Sequence, residues 1–246
     1  MNNKKDDLLK LSNINKFFQE KTEKIQVLEN ISFSLKRGEI IALVGPSGCG
    51  KTTLLNIVAG LLEAEQGKVE RKDGTKIGYV FQEPRLLPWM SVEENISFIQ
   101  NNFLADKEAK EQRETLLQGG NLMDYRSLYP GQISGGMKQS LELIRALAIK
   151  PDLLFLDEPF KSLDIALKYQ LQELLLEQYS KNKFGMLFIT HDPEDAVLLA
   201  DRVFLLTKKP STINKIFDIK VDREDRNLKN ERIYNILQEI LEIIIS

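Results

Sequence analysis

The stretch LVGPSGCGKTTLL, residues 43–55, decides the fold of this chain. It contains the spacing G-x-x-x-x-G-K-T from Gly45 to Thr52, after the apolar run IIALV and before a helical pattern. Glycines at these positions let backbone N–H groups turn inward around a phosphate, and the helix that follows presents its positive N-terminus. A strand, this loop and a helix in that order predict a phosphate-binding loop.

Two side chains of the loop have separate predicted roles. Lys51 is expected to reach the terminal phosphates of a nucleotide, and the hydroxyl of Thr52 is expected to bind Mg²⁺. Cys49 is interpreted as a small filler residue, with a redox role as the alternative. The residues expected to contact the phosphates are Gly45, Pro46, Ser47, Gly48, Cys49, Gly50, Lys51, Thr52 and Thr53.

Composition limits the function classes. The chain has 246 residues, 42% of them hydrophobic, so it is long enough to bury a sizeable core. The 34 basic residues nearly cancel the 36 acidic ones, and a net charge of -2 does not favour nucleic acid as a partner. The single cysteine excludes an internal disulfide framework.

Neither the N-terminus nor the interior predicts a membrane span. The segment MNNKKDDLLKLSN is charged and lacks the apolar core of a secretory signal. The apolar runs are strand-sized, well short of the roughly 18–20 residues that cross a bilayer. Any membrane association is therefore expected to come through a partner.

The hydrophobic pattern predicts two kinds of sheet. ISFSL, residues 31–35, alternates apolar and polar side chains, so with LLKLSNINKFF before it this run predicts an antiparallel β layer. Continuous apolar runs are typical of parallel strands buried on both faces. Such runs occupy residues 40–44, 153–157, 186–190 and 203–206.

Helical patterns complete the prediction. Between Tyr79 and Pro151 the chain is polar and helical, which indicates a helical lobe inserted at about residues 83–150 of a single domain spanning 1–246. Pro151 is expected to end the last helix of the lobe. The apolar stripe predicted for that helix is Met137, Leu141, Ile144 and Ala148. The stripe predicted for a C-terminal helix is Ile233, Leu237, Ile240 and Ile244.

A second acidic site follows the run LLFLD. Asp157 and Glu158 stand at its carboxyl end, the edge at which open parallel sheets bind ligands. Asp157 is predicted to serve as a Mg²⁺ partner, and Glu158 to polarise an attacking water. The alternative is that both carboxylates are solvated loop residues.

The stretch ISGGMKQSLELIRALAIKPDLLFLDEP, residues 133–159, resembles the signature region of ATP-binding cassette proteins. Physically, Ser134 as an N-cap with Gly135 and Gly136 exposing backbone N–H groups forms a second anion site. The resemblance implies that two copies pack head to tail, so that this motif of one copy faces ATP on the loop of the other. It also adds Gln139 to the nucleotide contacts.

Four further segments match the family in its order. NINKFFQEK implies an aromatic residue that stacks on adenine, expected to be Phe18 or, as the alternative, Phe17. These aromatic residues could instead simply pack in the core. YVFQEPRLLPW implies Gln82 as a Mg²⁺ and water contact. KSLD places Asp164 at the dimer interface, and ITHD makes His191, the only histidine, a γ-phosphate contact.

Two positions depart from the family pattern. Ser140 stands where arginine is usual, and Lys161-Ser162 stands where Gly-Ala is common. Neither change removes a predicted phosphate donor or Mg²⁺ ligand. These two departures are expected to affect details of the dimer interface and the turnover rate, not ATP binding.

The implied fold is α/β: a P-loop NTPase of the ABC ATPase type, with a RecA-like parallel sheet core, an N-terminal antiparallel β subdomain and an inserted α-helical subdomain. The run QEPRLLPWMSVEENI resembles ATPases of nitrate, sulfonate, taurine and pyrimidine-precursor importers. Leu86, Leu87 and Trp89 could form an apolar dock for a membrane subunit or pack inside the lobe.

The resemblance therefore implies an importer ATPase that uses ATP and Mg²⁺ as a homodimer. Its partners would be transmembrane permease subunits and, indirectly, an extracytoplasmic solute-binding protein, and it would lie at the cytoplasmic face of the cell membrane. An exporter ATPase and a soluble, non-transport cassette ATPase are the alternatives. A P-loop kinase or GTPase does not explain ISGGMKQ or ITHD.

Overall fold

The structure is a computed structural model that describes residues 7–20 and 23–245. The described chain divides into two compact units, one formed by the residues up to Gly74 together with those from Gly185 onward, the other by Thr75–Phe184. The sequence prediction about a secretory signal falls partly on residues 1–6, which lie outside the described residues. No helix in the described ranges is both long and apolar enough to cross a membrane.

The first unit opens with the predicted antiparallel layer. Its strands are β1 (Asp7–Glu20), β2 (Glu23–Lys36) and β4 (Gln66–Arg71), in the order β2-β1-β4. Leu11 of β1 pairs with Phe33 of β2 and both are buried, because alternate residues of each strand share one face. Asn13 has a φ of 53°, and the register shifts there. The prediction of an antiparallel layer is confirmed.

Buried strands form the core of the same unit. They are β3 (Ile40–Val44), β7 (Gly185–Ile189), β8 (Arg202–Leu206) and β9 (Ile213–Asp218). β3 runs parallel to both β7 and β8, whereas β9 is antiparallel to β8. Leu43 is opposite Ile189, so β3 and β7 end at the same edge of the sheet. The predicted parallel strands are confirmed.

Three helices belong to the first unit: α1 (Lys51–Ala59), α6 (Pro193–Leu199) and α7 (Glu231–Ile245). The predicted stripe of α7 is buried at Ile233, Leu237 and Ile240. Ile244 was expected to join it, but its side chain is 40% exposed, since the buried face of α7 ends at Ile240.

The second unit contains the parallel strands β5 (Ile77–Val80) and β6 (Leu153–Asp157). Its helices are α2 (Val92–Gln100), α3 (Asp106–Gly119), α4 (Gly135–Leu147) and α5 (Ile165–Asn182). No residue from 83 to 150 is in a strand, in agreement with the predicted helical character. The boundaries of an inserted lobe at 83–150 stay a prediction.

Helix α4 differs from the prediction in its buried face and in the position of its end. Leu141, Ile144 and Ala148 are buried, but Met137, in the first turn, is partly exposed. The helix ends at Leu147, three residues earlier than a stop imposed by Pro151 would place it. β5 lies against this helix, where a Cβ on Gly78 would come within 2.6 Å of the backbone oxygen of Ala146.

Candidate active site

The phosphate-binding loop joins β3 to α1. Gly50, the residue before the helix, has a φ of 115°, and a Cβ added there would lie 2.7 Å from a methyl group of Val27. Gly45 is also constrained, because a Cβ there would lie 3.0 Å from the backbone oxygen of Leu206. Gly50 has no side chain to cap α1, so the N–H groups of the first turn remain directed toward the loop.

Lys51 is enclosed by its own loop. Its side chain is buried, and Nζ donates hydrogen bonds to the backbone oxygens of Gly45 at 2.8 Å and of Pro46 at 2.9 Å. Cys49, also buried, has its sulfur 4.0 Å from Nζ, and the choice between a filler and a redox role stays a prediction. Thr52, one position further on, is exposed. The loop therefore concentrates positive charge where backbone N–H groups converge.

His191 follows β7. Thr190 anchors the turn, since its Oγ1 accepts a hydrogen bond from the backbone N of Asp192 at 2.9 Å and its own N donates to Leu43 at 3.3 Å. Asp192 then caps α6 by accepting from the N of Glu194 at 3.0 Å. The side chain of His191 is exposed. Because β3 and β7 end at one edge, His191 and the phosphate-binding loop leave the sheet on the same side.

The two candidate aromatic residues lie near the end of β1. Phe18 is 42% exposed, which excludes the core role left open by the sequence, and Lys16 Nζ lies 5.0 Å from its ring centre. Phe17 is less exposed, and Lys24 Nζ lies 4.4 Å from its ring centre. Neighbouring residues of a strand point to opposite faces, so only one of the two rings can serve a given ligand.

In the second unit, Asp157 is the last residue of β6 and Glu158 follows it. Both are buried, with Glu158 8% exposed, so the alternative of two solvated loop carboxylates is wrong. Val80 of β5 lies opposite Leu156 of β6, and two residues further along each parallel strand Gln82 lies beside Glu158. Gln82 Nε2 lies 3.5 Å from Glu158 Oε2.

Lys161 also contacts this carboxylate, which the sequence analysis missed. Its Nζ lies 2.5 Å from Glu158 Oε2. Opposite charges three residues apart predict a contact within a helix but not across a turn, so the spacing of Glu158 and Lys161 alone did not indicate it. Lys161 entered the prediction only as a departure from the family pattern.

The signature segment begins α4 as predicted. Ser134 is the N-cap, and its Oγ accepts a hydrogen bond from the backbone N of Met137 at 3.2 Å. A Cβ on Gly135 would meet nothing within 4 Å, whereas one on Gly136 would lie 2.7 Å from Leu167 of α5. Gly135 therefore leaves open space beside the N-terminus of the helix.

Gln139 and Asp164 have structural contacts that bear on their predicted roles. Gln139 is buried, and its Nε2 donates to the backbone oxygen of Pro159 at 3.1 Å. Asp164 is exposed and caps α5 by accepting from the backbone N of Leu167 at 3.0 Å. The contact of either residue with a nucleotide or a second copy stays a prediction.

The segment after Gln82 presents an exposed tryptophan. Trp89 is 69% exposed, while Leu86 and Leu87 are half-buried. Asn95, fully buried in α2, fixes the loop, because its side chain accepts from the N of Leu87 at 2.9 Å. The same side chain donates to the backbone oxygens of Leu87, Met90 and Ser91.

A groove of about 260 Å³ lies in the same unit. Its lining includes Phe81, Arg85, Phe103, Glu142 and Arg145. Burial raises the pKa of Glu142, an effect opposed by Arg145, whose NH1 lies 3.1 Å from the carboxylate. The groove thus combines aromatic rings with a paired buried charge.

Comparison with known sequences identifies the family. The family described as ABC transporter matches residues 28–161. The aliphatic sulfonates import ATP-binding protein SsuB of Bacillus cereus is 39% identical over 238 residues, which cover 94% of each chain. The protein of the same name in Bacillus subtilis is 40% identical over 210 residues, covering 83% of this chain and 82% of the relative.

Solved structures agree with this assignment. A dimeric, post-hydrolysis state of the ATP-binding cassette MJ0796 bound to ADP and Pi matches with a TM-score of 0.77 at 27% identity, covering 87% of this chain and 100% of that one. An ATP-binding subunit of an ABC transporter matches with a TM-score of 0.77 at 25% identity, covering 97% of this chain and 100% of that one. The predicted ABC ATPase fold class is confirmed. The chain therefore belongs to the ATP-binding cassette transporter family and is an ATP-hydrolysing member of it.

Proposed function

We propose that this chain is the ATPase subunit of a membrane importer for an aliphatic sulfonate or a closely related small anion. The enclosure of Lys51 by the Gly45–Thr52 loop at the end of β3 supports ATP as the energy source. The names of the relatives, which are sulfonate import proteins, support uptake and the solute class.

ATP binding uses the first unit. The phosphates lie on the backbone N–H groups of Gly45–Thr53 with Lys51 beside the terminal phosphates, and Phe18 stacks on the adenine. The exposed ring of Phe18 supports this choice over Phe17. The converging N–H groups and the N-terminus of α1 favour a multiply charged anion.

The proposed ligands of Mg²⁺ have the chemistry that this cation prefers. Thr52, Gln82 and Asp157 supply a hydroxyl, an amide oxygen and a carboxylate, and Mg²⁺ prefers oxygen donors while keeping several waters. Asp157 is 2% exposed, and a cation offsets the cost of burying its charge. When bound, Mg²⁺ neutralises charge on the phosphate oxygens.

In the proposed hydrolysis, Glu158 takes the proton of the attacking water. The water oxygen forms a bond to the γ-phosphorus, and the bond to the bridging oxygen breaks with its electron pair leaving on ADP. Gln82 orients the water, His191 donates to the γ-phosphate, and Lys51 stabilises the developing charge.

The working form is a homodimer packed head to tail. Ser134, Gly135 and Gly136 of one copy face the ATP of the other, with Gln139 and Asp164 near that interface. The open space at Gly135 and the exposed cap at Asp164 support an approach by a second copy. The dimeric state of the solved cassette MJ0796 supports the same assembly.

The chain acts at the cytoplasmic face of the membrane through its partners. Trp89, with its exposed ring, and the groove lined by Phe81 and Arg85 receive a helix of a transmembrane permease, because tryptophan and arginine side chains are enriched among the residues that dominate protein interfaces. An extracytoplasmic solute-binding protein delivers the solute, and nucleic acid has no role. Residues 1–246 form one ATPase domain with its helical subdomain at about 83–150.

Uptake by the intact transporter tests the proposed function. Deletion of the gene in its native host should abolish uptake of radiolabelled ethanesulfonate, and the wild-type gene should restore it. Trp89→Ala should restore little uptake, because the permease contact is lost, while the purified variant hydrolyses ATP normally. Tyr234→Ala, which removes another exposed ring, is the control. Unchanged ethanesulfonate uptake after deletion would contradict the proposed solute.

His191→Ala should slow hydrolysis without preventing nucleotide binding. A hydrogen bond to a charged group contributes about 1.5–3 kcal/mol, so kcat should fall roughly 10- to 150-fold. Because the exposed side chain of His191 is not packed in the core, the midpoint of thermal unfolding should change little. Steady-state ATPase assays measure kcat, and calorimetric titration measures the affinity for ATP. Undiminished ATPase activity would show that His191 has no role in the reaction.

A further inference from the structure

We propose that Lys161 is a positioning residue that restrains Glu158 and limits the rate of ATP turnover. The inference rests on the proposed role of Glu158 as the acceptor of the water's proton. The contact that carries it is the 2.5 Å distance between Lys161 Nζ and Glu158 Oε2. The same oxygen lies 3.5 Å from Gln82 Nε2.

The backbone after β6 builds this contact. Glu158 has a φ of 50° and Ser162 a φ of 61°, so the segment turns sharply at both ends. Between them the backbone N of Lys161 donates to the backbone oxygen of Glu158 at 3.2 Å. This turn brings the two side chains together, and Gln139 holds its middle by donating to the oxygen of Pro159.

Burial differs across the ion pair. The side chain of Glu158 is 8% exposed, whereas that of Lys161 is 52% exposed. The lysine can therefore swing into solvent without loss of packing, whereas the buried carboxylate cannot. Removal of the lysine side chain should leave the position of the backbone unchanged.

The consequence concerns the oxygen that reacts. The ammonium of Lys161 contacts Oε2, and the amide of Gln82 lies 3.5 Å from the same oxygen, so two donors already compete for it. A water transfers its proton to Oε2 more readily once Lys161 withdraws. Exposed ion pairs shift an equilibrium by roughly two- to fivefold, so turnover is slowed by about that factor.

Substitution of Lys161 provides the test. Lys161→Met keeps the length and removes the charge, so kcat should rise roughly two- to fivefold while KM for ATP stays unchanged. Lys161→Arg retains the charge and should turn over at the wild-type rate. Lys181→Met is the matched control, because it removes the exposed Lys181–Glu177 pair of α5 in the same unit.

Ionic strength gives a readout that a structural role would not change. Salt screens exposed ion pairs, so added salt should weaken the Lys161–Glu158 contact. The ratio of the wild-type kcat to that of Lys161→Met, measured at each salt concentration, should therefore rise. Lys161→Gln, a second uncharged variant, guards against an effect specific to methionine. A kcat that is unchanged or lower in both uncharged variants, or a change in KM alone, would overturn the inference.

A double variant separates this inference from the proposed function. Lys161→Met should have no effect on rate in the Glu158→Gln background, because the group that it restrains is gone. If Glu158→Gln is inactive while Lys161→Met has the wild-type kcat, only the role of Lys161 fails. If Glu158→Gln turns over normally, the proposed role of Glu158 fails, and the inference fails with it.

Discussion

Glu158→Gln is expected to reduce ATP turnover by roughly 10²- to 10⁴-fold, the range by which general bases contribute. Glutamine has nearly the same shape as glutamate but cannot take the proton of the attacking water. The buried position at the end of β6, beside Gln82, tolerates an amide of that size. ATP binding should therefore survive, and two ATP-bound copies should remain together.

The trapped dimer is measurable because the chain has a mass of 28.2 kDa. Light scattering with saturating Mg-ATP should report twice that mass for Glu158→Gln and less for the wild type, which hydrolyses its ATP. Glu177→Gln is the matched control, since it makes the same chemical change at an exposed pair on α5. A Glu158→Gln protein that stays monomeric with saturating Mg-ATP would contradict the proposed assembly.

Lys51→Met is expected to abolish measurable hydrolysis and to weaken ATP binding by roughly 10- to 150-fold, because a hydrogen bond to a charged group contributes about 1.5–3 kcal/mol. The ammonium is enclosed in the loop, where it contacts the backbone oxygens of Gly45 and Pro46. In a site of low polarity, a charge aimed at the phosphates has a larger effect than in water. Methionine fills a similar volume, so the loop should keep its shape.

Equilibrium titration with a fluorescent ATP analogue and a coupled ATPase assay measure the two effects. Lys181→Met is the control for the loss of one positive charge at an exposed position. Thermal unfolding should distinguish a lost contact from a lost fold, because Lys51→Met should still unfold cooperatively, at a midpoint lowered only by the loss of its two hydrogen bonds to the loop. Wild-type affinity for ATP in Lys51→Met would contradict the assignment of the phosphate site.

Much of the fold was predictable because its signals are local. The spacing of Gly45, Gly50 and Lys51 requires a strand before it and a helix after it, and both are present. The apolar runs of the parallel strands were recognisable because burial on both faces excludes polar residues. The N-cap role of Ser134 followed from its place before an amphipathic helix.

Side-chain contacts across turns were not predictable in the same way. The approach of Lys161 to Glu158 depends on positive φ angles at Glu158 and Ser162, which are uncommon for residues other than glycine. The hydrogen bond from the amide of Gln139 to the backbone oxygen of Pro159 was likewise not anticipated. A motif identifies the residue types that a site needs, but not the partner that each side chain has in one conformation.

The ends of helices were also less certain than their buried faces. Periodicity continued the stripe of α7 to Ile244, although the packed surface ends at Ile240. It likewise included Met137 in the stripe of α4, where the first turn extends past the core. Periodicity reports which residues share a face, and tertiary contacts decide how much of that face is covered.

Asn95 has a consequence for how the transporter assembles. Its side-chain oxygen accepts from Leu87 N, and its NH₂ group lies within hydrogen-bond distance of the backbone oxygens of Leu87, Met90 and Ser91. These contacts hold the backbone of residues 87–91 in one conformation, with Trp89 directed away from the interior. Ordering a flexible side chain on association costs about 0.5–1.5 kcal/mol, and ordering a loop costs more. Since this loop is ordered before any partner arrives, the proposed permease contact would lose less entropy on binding, and more of its contact energy would appear as affinity.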